Sequence, residues 1–368
     1  MKLRLILLFS VFSILSIFSQ KDSIKNSKDE KRVSIIGIPV INYSNSFGAS
    51  FGGLGTGFYH FQKNDTISPL SSSSVFAMYS TNKTWFAAQI NKFYLNEDKI
   101  RIKTAFGLGV INFQTYLAWP NFIDIPTGNL NSIDNDGVFI DYETSVQFVY
   151  AEFLHRIIEN LYLGGQVVYS HSKTEFDVIT NPTEELSQFG FGLSSEFDSR
   201  NSQFSPTKGS HSNIGTISFF EDLGSTNSYT KLNLVYNRYF PIGERNTVLA
   251  RFYSDISFGD VPFSGQNIVG RDDLRGYSEG KYRGDQVYAV QSEYRHWFAD
   301  RWGYVAFGGV ATAIDTASDL NIGNVLPAAG AGIRFLAIPK SNISIGVDVA
   351  VGKDDWGLYF RIGEAFTR

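Results

Sequence analysis

The stretch Val248-Leu249-Ala250-Arg251-Phe252-Tyr253-Ser254-Asp255-Ile256-Ser257-Phe258 decides the fold. Side chains of an extended chain alternate between its two faces. Val248, Ala250, Phe252, Ile256 and Phe258 therefore share one face, opposite Arg251, Tyr253, Asp255 and Ser257. The pattern recurs along the chain. In 99–110, Ile100, Ile102, Phe106, Leu108 and Val110 oppose Lys99, Arg101, Lys103 and Gly107. In 138–150, Val138, Ile140, Tyr142, Val146, Phe148 and Tyr150 oppose Asp141, Glu143, Ser145 and Gln147. In 341–350, Ile343, Ile345, Val347 and Val349 oppose Asn342, Ser344, Gly346 and Asp348.

A soluble sandwich with its polar side outward and a membrane barrel with its polar side inward both fit such strands. Three features favour the barrel. The strands reach about ten residues, the length a tilted strand needs to cross a bilayer. Aromatic residues sit near strand ends, as at Tyr94, Trp297, Phe298, Trp302, Tyr304, Trp356 and Phe366, in the manner of interfacial girdles. Connections alternate between short ones, such as Glu159-Asn160, Ala299-Asp300 and Pro339-Lys340, and long ones at 117–135, 174–186, 259–284 and 315–326. Counting back from the end places strands near 355–366, 341–351, 327–338, 303–314, 285–298, 246–258, 228–240, 209–221, 186–199, 160–173, 136–153, 99–116, 83–95, 69–81, 48–62 and 33–44. That is an all-β, transmembrane antiparallel barrel of about 16 strands over 33–368, an even number as in bacterial barrels.

Residues 1–20 read separately. Lys2 and Arg4 precede an apolar run from Leu5 to Phe18, and Ser19-Gln20 offers a cleavage point. This is a signal-peptide pattern. Residues 21–32 are charged and serine-containing, and read as a short flexible tail on the periplasmic side. The net charge of -4 gives no basic face for nucleic acid. With no cysteine, disulfides and thiolate metal sites are excluded.

The connection at 259–284 is far longer than the two to five residues that join a hairpin. It contains Gly270-Arg271-Asp272-Asp273-Leu274-Arg275-Gly276-Tyr277, with a lone arginine beside a glycine. Leu274-Arg275-Gly276-Tyr277 resembles the V/L-R-G-F/Y motif in the sixth extracellular loop of the BamA-like superfamily. That superfamily comprises bacterial surface antigens, outer-membrane assembly factors and two-partner-secretion transporters. The run from Phe197 to Gly209, with Asp198, Arg200, Pro206 and Gly209, resembles the family's D-x-R…P-x-x-G turn. Glu293-Tyr294-Arg295, Ala329 to Arg334 and a final strand ending near Phe366 complete the likeness. It covers 190–366 by motif and 33–189 by pattern.

The resemblance implies that the loop folds into the lumen and that Arg275 pairs there with acidic wall residues. A guanidinium fork suits a carboxylate, and Glu293 and Asp348 are the candidate partners. The family's aspartate in F-x-D-x-G is absent, because this chain reads Phe307-Gly308-Gly309-Val310-Ala311. Asp198 and Arg200 are read as stabilising a periplasmic turn, with Pro206 and Gly209 shaping its backbone. Phe360, Ile362 and Phe366 resemble the C-terminal signal by which assembly machinery recognises barrels, although Thr367-Arg368 extends past the usual terminal aromatic. The expectation is a barrel-only member, without the periplasmic POTRA domains that the resemblance implies for family members that insert or export proteins.

Other motifs are coincidences of composition. Gly48-Ala49-Ser50-Phe51-Gly52 matches G-x-S-x-G without the strand-turn-helix a nucleophile needs. Gly53-Leu54-Gly55-Thr56-Gly57 lacks dinucleotide spacing. His60, His155, His171, His211 and His296 show no ligand spacing. The expectation is a non-enzymatic outer-membrane barrel of a Gram-negative bacterium, without cofactor or metal. It would contact outer-membrane lipids and take part in protein or lipid assembly and transport with periplasmic or lipoprotein subunits. A loop-plugged passive pore and a structural subunit of an outer-membrane complex are the alternatives.

Overall fold

The computed structural model describes residues 33–366 apart from 45–47, 63–64, 119–132, 135–136, 178–181 and 271–272. The signal segment 1–20 and the tail 21–32 lie outside the described residues. Sixteen long strands follow one another: β1 (Val33–Ser44), β2 (Gly48–Tyr59), β3 (Ser71–Ser80), β4 (Trp85–Leu95), β5 (Ile100–Ala118), β6 (Gly137–Ile158), β7 (Leu161–Phe176) and β8 (Thr183–Asp198), then β9 (Gly209–Phe219), β10 (Tyr229–Ile242), β11 (Asn246–Gly259), β12 (Gln286–Trp297), β13 (Trp302–Ile314), β14 (Leu326–Ile338), β15 (Ile343–Gly352) and β16 (Asp355–Ile362). Each pairs antiparallel with its neighbours in chain order, from β1–β2 to β15–β16. The meander curls until β16 lies beside β1, with Cα atoms within 8 Å. Among the described residues no backbone ladder joins these two strands, so the barrel is nearly closed with one seam.

The two rims differ. One carries long connections, including 260–285 between β11 and β12. The other carries mostly tight turns, in which Asn160 and Asn342 take left-handed backbone, a conformation asparagine tolerates.

The outer face shows where lipid begins and ends. Val149, Tyr169 and Phe189 form one row across β6, β7 and β8 by register. Phe153, Val167, Leu163, Phe191 and Leu193 continue the exposed apolar surface toward the short-turn rim. One row in the other direction, the outward residues are Gln147, His171 and Ser187, followed by Lys173 and Glu185. Polar groups without partners are costly in hydrocarbon, so the belt stops at the Val149 row. Beyond it β5 and β6, of 19 and 22 residues, carry the long-loop rim clear of the bilayer.

This overturns the facing read from alternation in 138–150. Ile140 and Tyr142 are buried on the inside, while Asp141, Glu143 and Gln147 point outward. The lipid-facing side chains are Val149 and Phe153. Above the belt the outer face meets water, and the apolar set packs inward. Tyr142 lies 5.8 Å from Phe113 and from Phe176, and 5.2 Å from Phe263 of the long loop. The aromatic girdle also needs correction. Phe298, Trp302 and Tyr304 are exposed at the short-turn rim, and Trp356 at the opposite one. Tyr94 turns inward, 5.3 Å from the Arg101 guanidinium, and Phe366 lies in the lumen.

The belt can be probed directly. Leu193, 75% exposed, becomes costly as Leu193→Arg, by about 2–4 kcal/mol at mid-bilayer. Gln147→Arg, in the polar extension, leaves stability unchanged. Urea titration of folding into lipid vesicles measures both.

Candidate functional site

The connection after β11 turns down into the barrel. Its two arms zip briefly, Asn267 opposite Gly284 and Ile268 opposite Arg283. Arg283 closes the top: its guanidinium lies 3.7 Å from the Phe263 ring and donates to the Tyr142 hydroxyl at 2.9 Å. Below, Val269, Leu274 and Tyr277 are buried against Val287, Ala289, Ala311 and Leu326 of the wall. Gly276 has φ +113 and its α-carbon faces the backbone of Val351. A side chain there would be both strained and obstructed. The Gly276 amide donates to the Tyr359 hydroxyl at 2.8 Å, the Tyr277 hydroxyl to the Pro327 carbonyl at 2.6 Å, and the Ser278 amide to Asp355 at 2.8 Å.

This packing delivers Arg275 to the centre of the lumen. Its guanidinium donates to Glu293 at 2.6 Å and to Asp348 at 2.8 Å. Gln291 accepts from Nε at 3.0 Å and, at 2.8 Å, from the same Nη2 that serves Glu293. The Phe307 ring lies against it, 3.3 Å from centroid to guanidinium carbon. The aspartate missing from the F-x-D-x-G position is thus replaced by carboxylates on β12 and β15. Gly309 itself faces the Gln291 backbone, where an added Cβ would lie 2.9 Å from Cα.

The pair belongs to a ring of alternating charge. Arg295 donates to Glu293 at 2.7 Å and lies 3.8 Å from Glu364. Glu364 accepts from Arg334 at 2.8 Å, and Arg334 donates in turn to Asp348. Arg361 adds a guanidinium 2.9 Å from Asp348. Four cations thus face three anions. All three carboxylate side chains are at most 2% exposed, where a charge is sustainable only when paired.

Sequence reasoning misplaced the last of these elements. β16 ends at Ile362, with Phe360 and Ile362 half-buried opposite Val347 and Ile345 of β15, whereas Phe366 lies beyond the strand. Left-handed backbone at Gly363 and Phe366 turns the chain inward. The Glu364 amide donates to the Phe204 carbonyl at 3.0 Å, and the Phe366 carbonyl accepts from Tyr239 at 2.7 Å. The Phe366 ring sits 4.9 Å from the Arg275 guanidinium and 4.8 Å from that of Arg251. Only the glycine before Glu364, interrupting the alternation, could have signalled this turn.

The other motif lies at the short-turn rim. Asp198 accepts from Arg200 at 2.7 and 2.8 Å and from Arg101 at 3.1 Å. Burial opposes the charge on Arg200, yet Asp198 holds its guanidinium above the ordinary range. Gly209, with φ +96, lets the chain pass close to Ser199, and the Pro206 carbonyl accepts from Arg295 at 3.2 Å. Glu196, Asp198 and His211 converge within 4.8 Å, a grouping hidden by their separation in sequence. Arg101 and Arg200 already occupy these carboxylates, so the cluster reads as an ion-pair network. Ser50 lies within β2, with strand on both sides.

Removing Arg275 takes one guanidinium partner from both Glu293 and Asp348 and unpins the loop, leaving Arg295, Arg334 and Arg361 to hold the carboxylates. Arg275→Ala should cost about 3–5 kcal/mol, and Arg275→Lys should fail to restore it, since an ammonium cannot match the fork. Thermal unfolding followed by gel mobility reads the loss, and limited proteolysis reads release of the loop. Unchanged protease access to the loop would sink the assignment.

Known proteins can now be set beside this geometry. BamA from Haemophilus ducreyi lacking POTRA domains 1–3 superposes with a TM-score of 0.57 at 14% identity, covering 95% of this chain and 77% of that one. CdiB from Acinetobacter baumannii gives 0.57 at 11%, covering 90% and 60%, and CdiB from Escherichia coli gives 0.54 at 12%, covering 90% and 63%. The chain thus spans less than two thirds of either CdiB structure, and at these identities the likeness concerns the fold. No curated protein matches by sequence. The Omp85 superfamily domain matches residues 123–366, a span that holds the Arg275 loop, the 199–208 turn and every member of the charged ring, and the chain belongs to the Omp85 superfamily.

Proposed function

We propose that this barrel resides in the outer membrane of a Gram-negative cell and takes part there in the assembly or transport of proteins or lipids. It acts there together with periplasmic or lipoprotein subunits and without enzymatic chemistry. One observation carries the reading. Among the described residues every pair of consecutive strands is joined by a registered ladder, while β1 and β16 adjoin without one. An edge strand presents unpaired amides and carbonyls, and in lipid those groups need partners. A seam of this kind is the one place where the wall can part, or where an incoming strand can pair, without breaking an existing ladder. The pinned loop fits the same role, because it keeps the lumen occupied while the wall moves.

The absence of cysteine makes the test clean. A cysteine pair placed across β1 and β16 should form a reducible lock. In a strain deleted for the gene, the unlocked protein restores the outer-membrane protein and lipid profile. The locked form restores it only after reduction. Equal rescue by locked and unlocked forms would refute the seam.

The loop occupying the lumen favours a second reading, a plugged passive pore. Planar-bilayer recordings of the wild type and of a deletion of 268–283 separate the two. A large rise in conductance on deletion supports the plug, and no conductance in either protein removes the pore reading.

A further inference from the structure

We infer that Phe204, at the tip of the 199–208 turn, is a positioning residue that holds the short-turn end of the β1–β16 seam shut. The inference rests on the seam reading above and names what keeps that seam closed at rest.

Without a ladder, side chains must hold β1 and β16 together. At the short-turn end they do so through an apolar cluster. Ile36 of β1, Phe58 of β2 and Ile343 of β15 are buried together, and Ile362 of β16 and Phe204 pack against them. The Phe204 and Phe58 rings meet edge to face, 5.0 Å apart at 86°, a favourable geometry for aromatic pairs. Four of these residues come from strands flanking the seam. Phe204 does not: its turn joins β8 to β9, half the barrel away in strand order.

The turn spans that distance as a strut with a stiff base. Asp198 accepts from Arg200 at 2.7 Å and from Gln203 at 2.6 Å, and Arg200 donates to Gln203 at 2.7 Å. Asn201 donates to the Thr207 hydroxyl at 2.8 Å and accepts from the Thr207 amide at 3.0 Å. At the far end, the Phe204 carbonyl takes the Glu364 amide, which ties the strut to the segment just after β16. A turn needed only to join two strands would not carry an aromatic residue to the opposite wall. The residues that brace the turn thereby act on the seam through Phe204, whose ring packs into the cluster around Phe58 while its carbonyl holds the Glu364 amide.

Hydrogen exchange with mass spectrometry on the full chain in lipid nanodiscs tests this. In the wild type, amides of β1 and β16 exchange faster than those of β6–β8 if the seam reading holds. Equal protection there would remove that reading whatever Phe204 does. In Phe204→Ala, peptides covering 34–38 and 358–364 should exchange about tenfold faster while β6–β8 stay unchanged, and Phe204→Leu should return most of the protection. Should Phe204→Ala fail to insert, a smaller rise confined to the same peptides in Phe204→Leu carries the decision. Acceleration restricted to 199–209, a uniform rise over all strands, or no change in the seam peptides would each overturn the role of Phe204.

Discussion

The interior is organised by the need to keep one buried guanidinium paired. Arg275 arrives on a loop, not on the wall, and meets Glu293 and Asp348 on two different strands. Neither carboxylate could stay ionised there alone, because burial of an uncompensated charge costs far more than a neutral hydrogen bond returns. Each is therefore shared with a second arginine, and the sharing propagates through Arg295, Arg334 and Glu364 until the ring closes. The loop, the β12–β15 wall and the segment after β16 become one electrostatic unit. The loop's location follows from charge pairing as much as from the apolar packing of Leu274 and Tyr277.

Around that unit the wall is uneven. On the β11–β16 side the inner face carries the ring and the small residues that make room for the loop. On the β5–β8 side a separate ion-pair network centred on Arg101 joins Asp98, Glu196 and Asp198. Tyr162 lies 3.8 Å from that guanidinium. The 199–208 turn connects the two systems, bound to Asp198 at its base and to Arg295 through Pro206.

Much of this barrel was legible in the chain, since alternation reports strands wherever one face meets lipid and the other does not. Phe252 and Phe258 outward against Arg251 and Ser257 inward is the pattern at its clearest. It misled in β6 because alternation states that two faces differ, not which one is wet. Where the strand rises past the belt, water lies outside and aromatic packing inside, so the assignment inverts. Glu293 and Asp348 could be nominated because an arginine in a lumen calls for carboxylates on inward positions. Glu364 could not, since a strand read over 355–366 puts it on the same face as Phe360 and Ile362, whereas the strand ends at Ile362. Phe366 read as part of the strand because an aromatic residue fits either environment, and only the backbone turn at Gly363 decides which one it meets.

The inward turn after Ile362 also bears on how the molecule reaches this state. Glu364 touches Phe204 and Arg334, and Phe366 touches Tyr239 and Arg251, groups drawn from the middle and the far end of the chain. The ring is incomplete until Glu364 is in place. Its completion therefore depends on contacts between residues far apart in the chain. Contacts of such long separation are costly to close early, and interactions absent from the folding transition state slow unfolding without hastening folding. The charged ring would thus confer persistence in the membrane more than speed of entry into it.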